Sequence, residues 1–340
     1  MRSSVSAALL VSLVASACSP ETVGRPPPPP VNWPSLEART APPHAKNLTP
    51  TEKERAASAA YWKALTASDL ADLGKLLDDD VHFAFAGLKD VHGRDNVTKM
   101  HDAVLGAYDA RRFVASRALL TPSSQVLEWT MTGTHKATQR QVSLKGVALL
   151  WTKDNGSIAD VHLYYDEALA NAQAGVGPKA LLALAPPQLP AGPPEEVEQA
   201  RSATEGTNVA VYRAALEALE NEDERGYVAT MSDDIELTTL EGPKPARGKL
   251  EARAYFRAMH KAIGHLDTSI TNAWGIGPYA VVEYQVVGEQ RGPLAWIPAQ
   301  KDNLLKLFVV DIAEVKDGKI VRVWRYDNPV QILSLPREIQ

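Results

Sequence analysis

One cysteine, Cys18, in 340 residues excludes intrachain disulfides and metal centres built on thiolates. Glycine-rich phosphate loops are missing, and the eight histidines are scattered without a helical pair four residues apart. Neither a nucleotide cofactor nor a metal site is therefore expected, and any chemistry is cofactor-free. A net charge of −5 without a lysine/arginine stripe argues against nucleic acid as a partner. No apolar run reaches the roughly 18 residues that a membrane-spanning helix requires. What is present, 45% apolar and 23% charged residues, is ordinary globular composition, and the length exceeds one average domain.

The position of the cysteine says more than its number. Arg2 leads into a mostly apolar run, Val5 to Val14, and then into Ala15-Ser16-Ala17-Cys18, a small-residue cleavage context. Small residues running into Cys resemble the lipobox of bacterial lipoproteins, although Ala15 stands where leucine is commonest. The resemblance implies a signal peptide at 1–17 and lipidation of Cys18, with an ordinary secretory signal as the other reading. Ser19 in place of aspartate resembles the outer-membrane sorting pattern of the bacterial envelope. Membrane association would then occur only through the lipid anchor. Residues 18–48 contain Pro26 to Pro30, Trp33-Pro34 and Pro42-Pro43, which favour an extended polyproline tether over a packed element.

A first domain is read over 49–175. Thr49-Pro50-Thr51-Glu52 has the capping pattern of a helix start, and Ala57, Ala60, Tyr61, Ala64 and Leu65 recur at helical spacing. A second helix is expected from Ser68-Asp69, ending at Asp79-Asp80, where Val81, Phe83 and Phe85 begin to alternate as a strand. A third helix surrounds Val97, Met100 and His101. Strands follow near Phe113 to Leu120, Val126 to His135, Val142 to Trp151 and Ile158 to Asp166, giving an α+β class. Residues 176–203, rich in Ala, Pro and Gly, read as a linker with one helical turn near Leu181 to Leu184.

The pattern then repeats over 204–335. Asp233-Asp234-Ile235 matches Asp79-Asp80-Val81, Met259-His260 matches Met100-His101, and Glu283-Tyr284 with Gly288 matches Glu128-Trp129 with Gly133. Ile320 to Asp327 echoes Ile158 to Asp166, each copy following a Gly turn and ending on Tyr-Asp. Four agreements in the same order imply a tandem duplication.

Together, Val81-His82-Phe83, Gly93-Arg94, Tyr108-Asp109, the Gly133-Thr134-His135 triplet and the stretch from Gly156 to Asp166 resemble the SnoaL-like polyketide cyclases of the NTF2-like superfamily. The second domain resembles the same superfamily less closely. This implies two cones of the cystatin-like kind, each a curved antiparallel sheet wrapped around N-terminal helices, with an apolar pocket at the open end. By that resemblance Asp166 and His135 would be an acid/base pair, able to remove a proton beside a carbonyl and steady the resulting charge. His101, Trp129, His162 and Tyr164 are the accompanying ligand-binding candidates.

Asp166 is equally suited to cap the segment that follows it. The face of the final strand that looks inward is open, with Asp160, His162, Tyr164 and Asp166 on one side and Val161, Leu163 and Tyr165 on the other. The Asp-Arg-Asp set of the related limonene epoxide hydrolases does not align here. Because Gln290 and Trp324 replace His135 and His162, the first copy is the one expected to keep a hollow, working interior. Two functions fit: a surface-tethered tandem that binds a small apolar molecule or a protein partner without catalysis, and a cofactor-free isomerase, cyclase or hydrolase. Pairing of the two domains as an internal pseudo-dimer is a further expectation.

Overall fold

A computed structural model describes residues 52–334, apart from 68–69, 87–89, 184–185, 241–243, 295 and 300–302. Cys18, the tether, Thr49-Pro50-Thr51 and Ser68-Asp69 lie outside the described residues. Both repeats fall within one compact unit, Arg39–Gln340.

In the first repeat α1 (Glu52–Ala67) turns Tyr61, Ala64 and Leu65 into the core, and α2 (Leu70–Leu76) follows. β1 (Leu77–Phe85) begins four residues before Val81 and runs through the aspartates that were expected to precede it. Leu77 already pairs with Ile158, and Asp78 is held by Lys153 and Ser157 of the neighbouring hairpin, so its charge does not end the strand. Next come β2 (Val91–His92), α3 (Arg94–Leu105), β3 (Tyr108–Leu120), β4 (Ser124–His135), β5 (Gln141–Thr152), β6 (Ile158–Tyr165) and α4 (Glu167–Ala174).

The segment read as a linker is partly structured. It holds a 3₁₀ turn at Lys179–Ala183 and a short strand, β7 (Glu195–Glu198), which adds in parallel to the edge of β3. The sheet order is β2-β1-β6-β5-β4-β3-β7. Extending that edge leaves β3 with no unpaired side along Arg117 to Leu120.

The second repeat runs α5 (Ala203–Glu220), α6 (Glu224–Ala229), β8 (Met231–Thr238), β9 (Ala246–Arg247), α7 (Gly248–Ala262), β10 (Ile263–Ile276), β11 (Tyr279–Gln290), β12 (Leu304–Lys316), β13 (Lys319–Asp327) and α8 (Gln331–Ser334). Its order, β10-β11-β12-β13-β8-β9, is that of the first sheet without β7. Each sheet is antiparallel through its meander and parallel where β6 meets β1 and β13 meets β8. Both are NTF2-like folds, with helices packed inside a curved sheet and a separate apolar core in each.

The pairing registers align the repeats residue by residue and correct two of the matches drawn from sequence. Gly93 and Gly248 both have positive φ, and each backs onto the carbonyl of an equivalent aspartate, Asp79 or Asp233. That places Phe256, not His260, opposite His101; the Met-His match is displaced by one helical turn. Tyr164 pairs with Val147 as Tyr326 pairs with Val310, so Asp166 corresponds to Asn328 rather than to Asp327. An extra tyrosine in the first copy makes the two Tyr-Asp endings coincide by eye but not in space.

Between the two sheets lies a third core, built from both repeats. Leu119, Val126, Val147, Leu149, Trp151 and Tyr164 of the first meet Ile276, Tyr279, Val281, Val310, Ile312 and Tyr326 of the second. Two carboxylates sit in this apolar seam at matching positions. Glu283 accepts hydrogen bonds from Tyr164 and Asn272 and pairs with His162 at 2.6 Å. Glu128 accepts from Tyr326 and pairs with Arg117 at 2.7 Å, whose guanidinium lies 4.0 Å from the ring of Trp324. Glu128→Ala should therefore cost about 3–5 kcal/mol in a urea melt, because Arg117 loses its buried partner and keeps only the exposed Glu195, while the buried Tyr326 hydroxyl loses its acceptor. Glu224→Ala, which breaks an exposed pair with Arg257, should change stability little. Equal losses in the two variants would contradict this role for Glu128.

Candidate functional site

The alternation of β6 decides where the predicted site residues point. Val161, Leu163 and Tyr165 face the first cone's core, whereas Asp160, His162 and Tyr164 face outward, the last two into the seam. Asp166 continues that outer face. It is 2% exposed, and its side chain caps α4 by accepting from the Leu169 amide at 2.9 Å. Beside it, Asn328 accepts from the Glu167 amide and donates to Ala86. Burial, opposed by the Leu169 amide, raises the Asp166 carboxyl to about 6, and its second oxygen has no hydrogen-bond partner.

His135 takes the inner face of β4, at the rim. Its Nδ1 bonds the Thr138 hydroxyl at 2.9 Å, and its ring lies against Tyr108. By extension of the β4–β5–β6 register, Asp166 is level with Thr130, five residues from His135 along the strands. That is roughly 16 Å, two strands over and on the opposite face of the sheet. The two residues assigned jointly by resemblance are thus not brought together.

Rings occupy the interior of the first cone, which was expected to be hollow. Trp129 meets Phe113 at 5.5 Å, Trp62 at 6.2 Å and Tyr165 at 5.9 Å, and Phe85 stacks on Tyr165 at 4.8 Å. Trp62 and Phe113 remain partly exposed at the edge of this cluster. His101 is buried against Tyr61 and Phe83 with both nitrogens satisfied, bonding Tyr61 Oη at 2.8 Å and the Val97 carbonyl at 2.9 Å. Burial lowers it to about 4, so it stays neutral as a packing residue.

The second interior is the polar one. Asp311, fully buried, pairs with Arg325 at 2.7 Å and accepts from the hydroxyls of Tyr212 and Tyr284, while Arg325 also donates to Tyr255. The positions equivalent to Asp311, Arg325 and Tyr284 hold Ala148, Leu163 and Trp129 in the first repeat. Sequence reading missed this cluster, yet a signal exists: Asp311 and Arg325 are the polar interruptions of two otherwise apolar inner faces. Every one of its charged groups is already partnered, which makes it a strut through the second cone.

Two NTF2-like cones joined through their sheets are the class these observations define. The SnoaL-like domain family model matches residues 58–161 and 212–323, more than half of the chain, and the protein belongs to that family. Solved structures with similarity include a candidate SnoaL-like polyketide cyclase from Jannaschia sp. CCS1, 18% identical over 41% of this chain and 99% of that one, TM-score 0.37. Another is a hypothetical protein with a ketosteroid isomerase-like fold from Catenulispora acidiphila, in complex with trimethylamine, at 19% identity, 36% and 95% coverage and TM-score 0.34. A third is a Mycobacterium tuberculosis protein in complex with estradiol-17beta-hemisuccinate, at 16% identity, 34% and 96% coverage and TM-score 0.31. No curated protein sequence matches the chain.

Asp166 carries a test of its structural role. Its folded value of about 6 exceeds the ordinary 3.8, so the shift favours the fold below that ordinary value and the benefit is lost as pH rises through 6. Ionisation there costs about 3 kcal/mol. Asp166→Asn, the side chain the second repeat already carries, keeps the cap and should gain stability relative to the parent between pH 4 and pH 8. A stability difference that does not change with pH would rule out this assignment.

Proposed function

We propose that the protein is a cell-envelope lipoprotein, anchored through Cys18, that holds two SnoaL-like domains as an internal pseudo-dimer and binds a small apolar molecule without chemical turnover. The observation that carries this reading is the separation of Asp166 from His135 on opposite faces of one sheet. An acid/base pair needs both groups within hydrogen-bond reach of one substrate, and neither group is free to turn to it. What the first cone offers instead is the Trp62, Phe113 and Trp129 surface, apolar and aromatic, with two of its rings partly exposed. The shared seam supports the pseudo-dimer, since each sheet's outer face is already covered by the other.

An apolar fluorescent probe, anilinonaphthalene sulfonate, tests the binding surface directly. Trp62→Ala removes one aromatic contact worth about 1.5–3 kcal/mol, so probe affinity should fall by roughly tenfold or more. Undiminished affinity in that variant would remove the surface from consideration, and turnover of a ketone substrate lost in both Asp166→Asn and His135→Ala would overturn the non-catalytic reading. Cys18→Ser should move the protein from the membrane fraction to the soluble fraction. A hydrodynamic mass of two chains would contradict sufficiency of internal pairing.

A further inference from the structure

Linear spacing shows no metal site, because the histidines are far apart along the chain. The fold nonetheless brings three ligating groups together. His82 on β1 is the register partner of Asp160 on β6, and His162 lies two residues further along β6 on the same outer face. Their ligand atoms fall within 4.8 Å of one another. Asp160 Oδ1 is 2.8 Å from His82 Nδ1 and 3.3 Å from His162 Nε2. Two atoms each bonded to a tetrahedral zinc at about 2.0 Å stand ~3.3 Å apart, so small shifts convert this trio into a coordination face.

We propose that His82, Asp160 and His162 bind a divalent transition-metal ion, with zinc as the reference ion. Four observations support it. The first is the state of His162, 1% exposed, whose Nε2 is buried without a hydrogen-bond partner and lies at contact distance, but not in bonding geometry, from Asp160. The second is the backing of both rings. His162 Nδ1 meets Glu283 at 2.6 Å and His82 Nε2 meets Asp90 at 3.3 Å, so each imidazole has a carboxylate on the nitrogen turned away from the trio. A carboxylate behind the far nitrogen is the usual way a ligating histidine is oriented and made more basic.

The third observation is access: the side chains of His82 and Asp160 retain 17% and 14% exposure, enough to admit an ion from one side. The fourth comes from the second repeat. Its equivalents of His82, Asp160 and His162 are Glu236, Arg322 and Trp324, so the fold builds this region without such a trio. Glu283 belongs to the second repeat and the three ligands to the first, which places the ion against the seam.

Two imidazoles with one carboxylate suit zinc, iron or cobalt better than calcium or magnesium.

The full chain, stripped with a chelator, is titrated with Zn2+ by calorimetry and with Co2+ by absorption and tryptophan fluorescence. Trp151 reports binding because its ring centroid lies 4.6 Å from that of His162. Saturable uptake of one ion per chain is expected, with ligand-field bands for Co2+ and quenching of Trp151. Asp160→Asn and His82→Gln, at partly exposed positions, should fold normally by circular dichroism and bind at least tenfold more weakly. Glu283→Gln should weaken binding by about 10–100-fold through orientation alone. Absence of saturable Zn2+ binding overturns the site, as does affinity unchanged in folded His82→Gln, or Mg2+ binding as tight as Zn2+.

Discussion

Two carboxylates buried between two sheets fix the arrangement of this protein. Removing a charge from water is expensive, and a buried carboxylate is tolerated only where donors surround it. Glu128 and Glu283 occupy equivalent positions on β4 and β11, and each takes a tyrosine hydroxyl from the other repeat. Each repeat therefore completes the polar satisfaction of its neighbour. Around these points Val147, Leu149, Val310 and Ile312 supply apolar contact, but it is the carboxylates that reject a slipped packing, because a shift of one residue would strand both charges.

Duplication explains why the matching sites have diverged. Once joined through one seam, the copies need not be identical, and each position can serve a different purpose. Opposite Glu283 stands His162; opposite Glu128 the corresponding place holds Trp324, with Arg117 laid across it. Within the cones the division runs the other way. The first is filled by Trp129, Phe113 and Tyr165, and the second by the Asp311–Arg325 pair under three tyrosines. Asp166 and Asn328 hold the equivalent position after the last strand of each repeat, one with a charge and one without.

Much of the fold is legible in the residue pattern. Period-two alternation marks the strands, helical spacing marks α1 and α3, and the echo of Glu128-Trp129 in Glu283-Tyr284 marks the second copy in correct register. Legibility fails where local pattern is not sufficient. Asp79-Asp80 looks like an end to regular structure, yet β6 and its hairpin supply partners that let β1 begin at Leu77. The two Tyr-Asp endings look equivalent, yet strand pairing sets them one residue apart. Asp166 satisfies both readings of its sequence context, and only the face on which it falls separates a helix cap from an acid.

From the chain alone come the duplicated α+β unit, its membership of a superfamily of cones and the residues available for chemistry, because periodicity and order are properties of covalent sequence. Tertiary structure alone decided which face of β6 turns outward, that Asp166 and His135 lie apart, and that His82, Asp160 and His162 lie together. The reason is physical: a strand's pattern says that its two faces differ, but the neighbour against which each face is buried is chosen only when the second sheet closes over it.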